Sequence, residues 1–503
     1  MNKYPTNPLT RLDYPDVDVI RVDDTYYMVS TTMYFMPGCE ILRSYDLVNW
    51  EHAAYVYDTL DSTPRQTLDD GAIYGQGMWA ASLRYHNGKF CVCFICNDTR
   101  KTYLYTADSI NGPWKKQYIE GFYHDCSLLF DDDGRVYIIY GGRRIRITEL
   151  KPDLSGPLEG GLDRILVTDP WTHNLGYEGS HMYKIGGKYV LTLIHSLETH
   201  WMRTEACYVS DSLEGEFTGG EALCHDMNYC GQGVAQGGIV DTPDGEWFAV
   251  LFQDRGAVGR IPILVPVHWE NDMPVFGVNG KVPEDVATKS TRPGYVYKPL
   301  VRSDDFRGDG DSFGFDSAWQ FNHEPELSLV SHDREKGEFR ITTGKICDDL
   351  TQAKNTLTQR MAWPGCSGEV TVDVSGLNEG DYAGLCALQS CYGFAAVTKR
   401  DGRNVIVMVS AQPEEREITV TEREAVVTDA DTVKFRIDAD FDHMKDEAHF
   451  FYDDGSGWKP IGGMHKMYYR LDHFTGYRFG LFAYSTKQTG GSAGFSDFVY
   501  HLK

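Results

Sequence analysis

Five times in the first 270 residues, a short apolar strand runs into a turn rich in Asp, Asn or Gly and then into a second strand of aromatic and β-branched residues. The second strands read DDTYYMVS, HNGKFCVC, DDGRVYII, GGKYVLTL and PDGEWFAV; the strands before them read VDVIRV, ASLRYH, CSLLFD, SHMYKI and GGIVDT. Each pair predicts a β-hairpin. The hairpins recur at intervals of roughly 45 to 65 residues, which leaves room for about two more strands apiece. The pattern predicts an all-β fold that begins with a five-bladed β-propeller over residues 1–285.

Beyond HWENDMPVFGVNGKV the text turns polar and Pro-containing, and residues 286–303 read as a crossing linker. From residue 304 to 503 short alternating strands return, among them GEFRITTG, GEVTVDVSG, NVIVMVSA, DTVKFRIDAD and EAHFFYDDG. Their spacing predicts an antiparallel β-sandwich.

The repeat register points to candidate chemistry. Nine positions before the third turn residue of each hairpin (Thr25, Gly88, Gly134, Gly187, Gly245) stand Asp16, Trp79, Asp125, Glu178 and Gln236. Equivalent positions of successive blades are related by rotation about one axis, so these five residues form a ring at the mouth of the central channel. A single Asp near a strand start is ordinarily a turn residue. Three carboxylates and a Trp at one register are not explained that way. Acetal hydrolysis needs an acid for the leaving oxygen and a base for water, and carboxyl groups serve both. Crowding raises the pKa of at least one of them, which supplies a protonated acid near neutral pH. Trp79 offers a flat apolar face to a sugar, and Gln236 a neutral hydrogen-bonding pair.

Composition narrows the partners. A formal net charge of −25 excludes a phosphate-tracking surface, so neither nucleic acid nor an anionic membrane is an expected partner. The twelve cysteines are scattered over a long chain and read as free thiols; Cys91, Cys93 and Cys96 alternate along one apolar strand and are read as core residues, with no metal site assigned. MNKYPTNPLT lacks the apolar stretch of a signal peptide, and no run of about 18 apolar residues occurs, so a cytoplasmic location is expected.

The stretches DYPDVDVIRVDDTYYMVSTT, FMPGCEILRSYDLVNW, GMWAASLRYHNGKF, HDCSLLFDDDGRVYIIY, GYEGSHMYKIGGKYVL and VGRIPILVPVHW resemble glycoside hydrolase family 43, the inverting β-xylosidases and α-L-arabinofuranosidases. The resemblance implies Asp16 as general base, Glu178 as general acid and Asp125 as the group that tunes and orients that acid. It sets Arg260 against the ring carboxylates and sugar hydroxyls, and Phe35 at the terminal-sugar subsite, where the plainer reading is a core aromatic. His124 is left without a role, because beside Asp125 it would face the other side of a strand. Where many relatives have Trp-Ala-Pro-Asp, this chain has Trp79, Ala80, Ala81 and Ser82. Gln236 stands where many carry a His that helps hold a central calcium ion through water, which weakens the case for that ion; no cofactor is expected to be required.

The second domain resembles the concanavalin-like sandwich appended to such enzymes, which can lend a loop to the pocket rim. HFTGYRFGLFAYS, with Phe474 and Thr475, is the candidate, against the preferred reading of a core strand. The expected activity is inverting, exo-acting release of terminal α-L-arabinofuranose, or alternatively mainly β-D-xylose, from short arabinose- or xylose-containing oligosaccharides. Two rivals remain. A fructan-directed furanosidase would carry an Asn-Asp-Pro-Asn motif, which is absent; a non-catalytic sugar-binding propeller would not need three carboxylates and an arginine.

Overall fold

The hairpins close because their turns supply left-handed backbone. Asn87–Gly88 and Gly186–Gly187 hold both central residues at positive φ (50° and 77°; 59° and 82°), the twist that joins antiparallel strands without splaying them. In the computed structural model, which describes residues 5–171, 174–414 and 417–503, each hairpin carries two further strands, giving five four-stranded antiparallel sheets. Residues 1–4 of the predicted propeller lie outside the described residues.

The first strands of the five blades are Asp18–Val22, Ser82–His86, Ser127–Phe130, Glu178–Ile185 and Val234–Asp241. Each touches the next, and the fifth touches the first, so they enclose a central channel. Between blades lie apolar layers such as Val29, Ile41, Leu83 and Val92. The ring is sealed by the N-terminal segment lying along the fifth blade. The Asn7 side chain donates to the Leu264 carbonyl and accepts from the Leu264 N–H (2.8 Å each), and the Tyr14 N–H donates to the Arg260 carbonyl at 2.9 Å. That seam places the start of blade one beside Arg260.

The chain beyond the last propeller strand, Met273–Phe276, is strapped to blade one: Tyr295 and Tyr297 pack on Tyr45, and the Tyr295 hydroxyl donates to Glu51 at 2.5 Å. The sandwich that follows has one sheet of eight strands and one of seven. Inward residues such as Leu385, Val397, Ile406, Val370, Phe435 and Ile437 form its core.

The eight-stranded sheet is not wholly its own. Its edge strand is Phe35–Met36, a piece of the propeller paired antiparallel with Phe321 and Asn322. A buried arginine fastens the same interface: Arg360 donates to Glu40 at 2.8 Å and to the Asp13 carbonyl at 2.9 Å. All twelve cysteines are free, and no helix among the described residues is long and apolar enough to cross a membrane.

Candidate active site

Three of the five ring residues share an unusual backbone. Asp16, Asp125 and Gln236 lie at φ of 53°, 48° and 58°, and Gly179, following Glu178, at 62°. Residues other than glycine seldom adopt this conformation, and it concentrates where side chains must be aimed against local preference. In blades four and five it coincides with a break in strand register, between Glu178 and His181 and between Ala235 and Gly237. Such bulges turn a side chain out of the alternation of its strand. Gly179 is required twice over: besides its positive φ, an added Cβ would lie 2.6 Å from Gln236 Cδ.

Asp16 is buried and both its oxygens accept hydrogen bonds, Oδ1 from Arg260 Nη1 at 2.6 Å and Oδ2 from Thr31 Oγ1 at 2.8 Å. Arg260 is only 2% exposed, and its Nε and Nη2 have no partner. Its guanidinium lies 5.3 Å from the Phe252 ring centre and 4.5 Å from that of Phe474.

Across the mouth, His124 stands between two carboxylates, with Nδ1 3.6 Å from Asp125 Oδ1 and Nε2 3.6 Å from Glu178 Oε2. One oxygen of Asp125 and one of Glu178 lie within 4.8 Å of each other. Burial pushes Asp125 up to about 7, assisted by the negative charges of Glu178 and Asp16 and opposed by His124. The charge of Asp125, with Glu178 beside it, holds His124 up to about 9 against the effect of burial. Groups this close exchange protons as a unit, so near neutral pH the cluster keeps a proton and a positive imidazolium.

This cluster gives a pH prediction. His124 lowers Asp125, so removing its charge lets Asp125 keep its proton to higher pH. In His124→Gln the limb of kcat/KM that falls with rising pH is expected to move up by about one unit, as loss of an adjacent opposite charge requires. A limb that stays in place or moves down contradicts the assignment.

Strand alternation in the sequence sets His124 on the face opposite Asp125 and so hides it. Asp125 lies before the strand Ser127–Phe130 in left-handed backbone, so the two neighbours are not on opposite faces.

Phe35 also departs from expectation. It is 1% exposed, covered by the Arg478 guanidinium at 3.5 Å, and offers no face to a sugar; its backbone belongs to the interdomain sheet. Trp79 is half-buried, its ring edge-on to His124 at 5.7 Å and 5.8 Å from Phe474. Gln236 is buried against Gly179, and its backbone N–H donates to Glu205 at 2.7 Å.

HFTGYRFGLFAYS divides. Arg478–Ser485 is a core strand, while the residues before it form a loop that reaches the mouth, with Phe474 at φ 60°. Thr475 is buried and bonds the Tyr34 hydroxyl at 3.0 Å, so it is not a rim residue. Tyr469, which the sequence did not suggest, stands 6.4 Å from Phe474 with its buried hydroxyl unpartnered. Asp13 fixes both parts of this wall, accepting from the Arg260 N–H at 2.7 Å and from the Gly476 N–H at 2.8 Å.

Among the described residues, two places gather groups that a cation would meet. His124, Asp125 and Glu178 each bring one ligand atom to within 4.8 Å of the others. Inside the channel the Arg84 guanidinium already bonds Asp18 at 2.6 Å, and a second cation there would meet that fixed charge. At the far end of the channel a cavity of about 280 Å³ is lined by Arg21, Tyr85, Phe130, Lys184 and Trp247, and none of the ring residues borders it.

The chain is similar to known proteins along its whole length. It is 25% identical to a β-xylosidase of Formosa agariphila, over 98% of this chain and 90% of that protein. Among solved structures it is 44% identical to a bifunctional GH43-CE protein of Bacteroides eggerthii, with a TM-score of 0.92 over all of this chain and 64% of that longer one. A second, 29% identical at a TM-score of 0.86 over 99% of this chain and all of the other, is a GH43 glycoside hydrolase whose engineered active site displays endo-xylanase and exo-arabinofuranosidase activity. The model for the β-xylosidase C-terminal concanavalin A-like domain matches residues 303–501. The model for glycosyl hydrolases family 43 matches residues 5–274, and the chain belongs to that family of glycosidases.

Proposed function

We propose that the protein is an inverting, exo-acting hydrolase that releases terminal α-L-arabinofuranose from short oligosaccharides, with β-D-xylose as the second sugar it accepts. Asp16 activates water and Glu178 protonates the leaving oxygen. Asp125 and His124 keep the proton that Glu178 delivers. The observation that carries the reading is a proton-holding cluster, Asp125 pushed up to about 7, facing a carboxylate whose two oxygens are both held by donors. One side can give a proton while the other takes one.

The pocket also suits a polyhydroxylated ligand. Arg260 Nε and Nη2 and the Tyr469 hydroxyl are buried without partners, a cost that sugar hydroxyls would relieve. Acid, base and orienting cation are all side chains, so the reading needs no metal. The ordering of the sugars rests on the stretch MYFMPG and on Trp79-Ala80-Ala81-Ser82, which depart from the xylosidase-like pattern. The relatives' names run both ways, β-xylosidase for one and exo-arabinofuranosidase activity for another.

The test is hydrolysis of 4-nitrophenyl α-L-arabinofuranoside and β-D-xylopyranoside, with the anomer first released followed by proton NMR. Faster turnover of the arabinofuranoside with inverted product is expected. Retained configuration rejects the single-displacement chemistry; faster turnover of the xyloside reverses the order of the sugars.

A further inference from the structure

The sandwich closes the mouth from one side. Phe474 stands against Trp79 of blade two and Arg260 of blade five. The chain at Leu471 and Asp472 crowds Gly75, where an added Cβ would lie 2.6 Å from the Asp472 carbonyl oxygen. Tyr229, in the crossing from blade four to blade five, meets Trp363 and His443. A sugar chain whose end lies between Asp16 and Glu178 therefore leaves over the opposite arc, above blades three and four.

Trp201 stands on that arc, 50% exposed. It belongs to the loop between Lys188–Ser196 and Arg203–Ser210 of blade four. This loop opens at the mouth, because Ile194, two residues before its strand ends, pairs with Glu178. One side of the indole meets an arginine. The Arg203 guanidinium lies 5.4 Å from its ring centre and is itself fixed to Asp254, Nε to Oδ2, at 2.6 Å. Arg203 also lies 5.4 Å from the Phe252 ring, which Arg260 approaches at 5.3 Å. Trp201 is thus the outer end of a run of contacts through Arg203, Phe252 and Arg260 whose inner end holds Asp16. Nearby, Trp171 lies flat on His195 (4.6 Å, 10°), with its carbonyl accepting from Arg143 at 3.0 Å.

An exposed indole on the loop that opens at the mouth of a sugar-cleaving centre matches the apolar C–H face of a pyranose ring. We propose that Trp201 is the stacking platform for a sugar on the leaving-group side of the cleaved bond, making the enzyme selective for oligosaccharides longer than a disaccharide. The proposal rests on the hydrolase reading above.

The experiment compares kcat/KM for 4-nitrophenyl pentosides and for di-, tri- and tetrasaccharides in wild type, Trp201→Ala and Trp201→Phe. On tri- and tetrasaccharides Trp201→Ala is expected to lose about tenfold through KM, as loss of an aromatic anchor predicts. It leaves the aryl pentosides unchanged, and Trp201→Phe keeps most of the wild-type value. An active wild type whose Trp201→Ala variant is unaltered at every length, or is weakened equally on all substrates, overturns the platform alone. A wild type inert on all of them overturns the hydrolase reading and the platform with it.

Discussion

Glu178→Gln is expected to lower kcat/KM by about 10³–10⁴ on an oligosaccharide while costing far less on a 2,4-dinitrophenyl pentoside. A sugar leaves as an alkoxide unless its oxygen is protonated as the bond breaks, and a positioned general acid contributes roughly 10²–10⁴ to such a step. Dinitrophenolate needs no such help. Glu178 is partly exposed, and the His124 it contacts at 3.6 Å keeps Asp125 as its other partner, so its amide should fold with little change in melting temperature. The measurement is kcat/KM across a series of aryl pentosides of falling leaving-group pKa. A loss that shrinks as the leaving group improves assigns Glu178 as the acid, and a loss equal for all would remove it from that role. Binding retained without turnover would also separate an enzyme from a sugar-binding propeller.

The blades were legible because each is local: two strands and a turn, repeated, with Asn87–Gly88 or Gly186–Gly187 setting the hairpin. The carboxylate ring was legible for the same reason, since equal register within a rotated repeat means equal height on the axis. What the sequence could not show is the part made by distant chain. Phe35 is buried by Arg478 and paired with Asn322, contacts that no local pattern encodes. Phe474 reaches the mouth because Asp13 holds Gly476 and Arg260 together across the interface. His124 is different: its signal was local but was read through strand alternation, which the left-handed Asp125 breaks. Asp16, Asp125, Glu178 and Gln236 all stand where the backbone departs from the regular strand, so a period-two reading fails at these positions.

That same backbone leads to the second large effect. Asp16→Asn is expected to reduce kcat/KM by roughly 10²–10⁴ on every substrate, with no dependence on leaving group, because activating water is required however good the departing group is. The amide keeps the size of the carboxylate, but it carries one acceptor oxygen where two donors converge. With Arg260 at 2.6 Å and Thr31 at 2.8 Å, its NH₂ must face one of them. The variant also leaves Arg260 buried without its counter-charge, and breaking such a pair costs about 3–5 kcal/mol. A lower melting temperature should therefore accompany the lost activity. Circular dichroism at the assay temperature separates the two, since a protein still folded there cannot owe a hundredfold loss to unfolding. If folded Asp16→Asn spares the dinitrophenyl substrates as Glu178→Gln does, Asp16 is not the base and the two carboxylates must exchange roles. A uniform loss beside a graded one fixes water activation on the Arg260 side of the channel and leaving-group protonation on the His124 side.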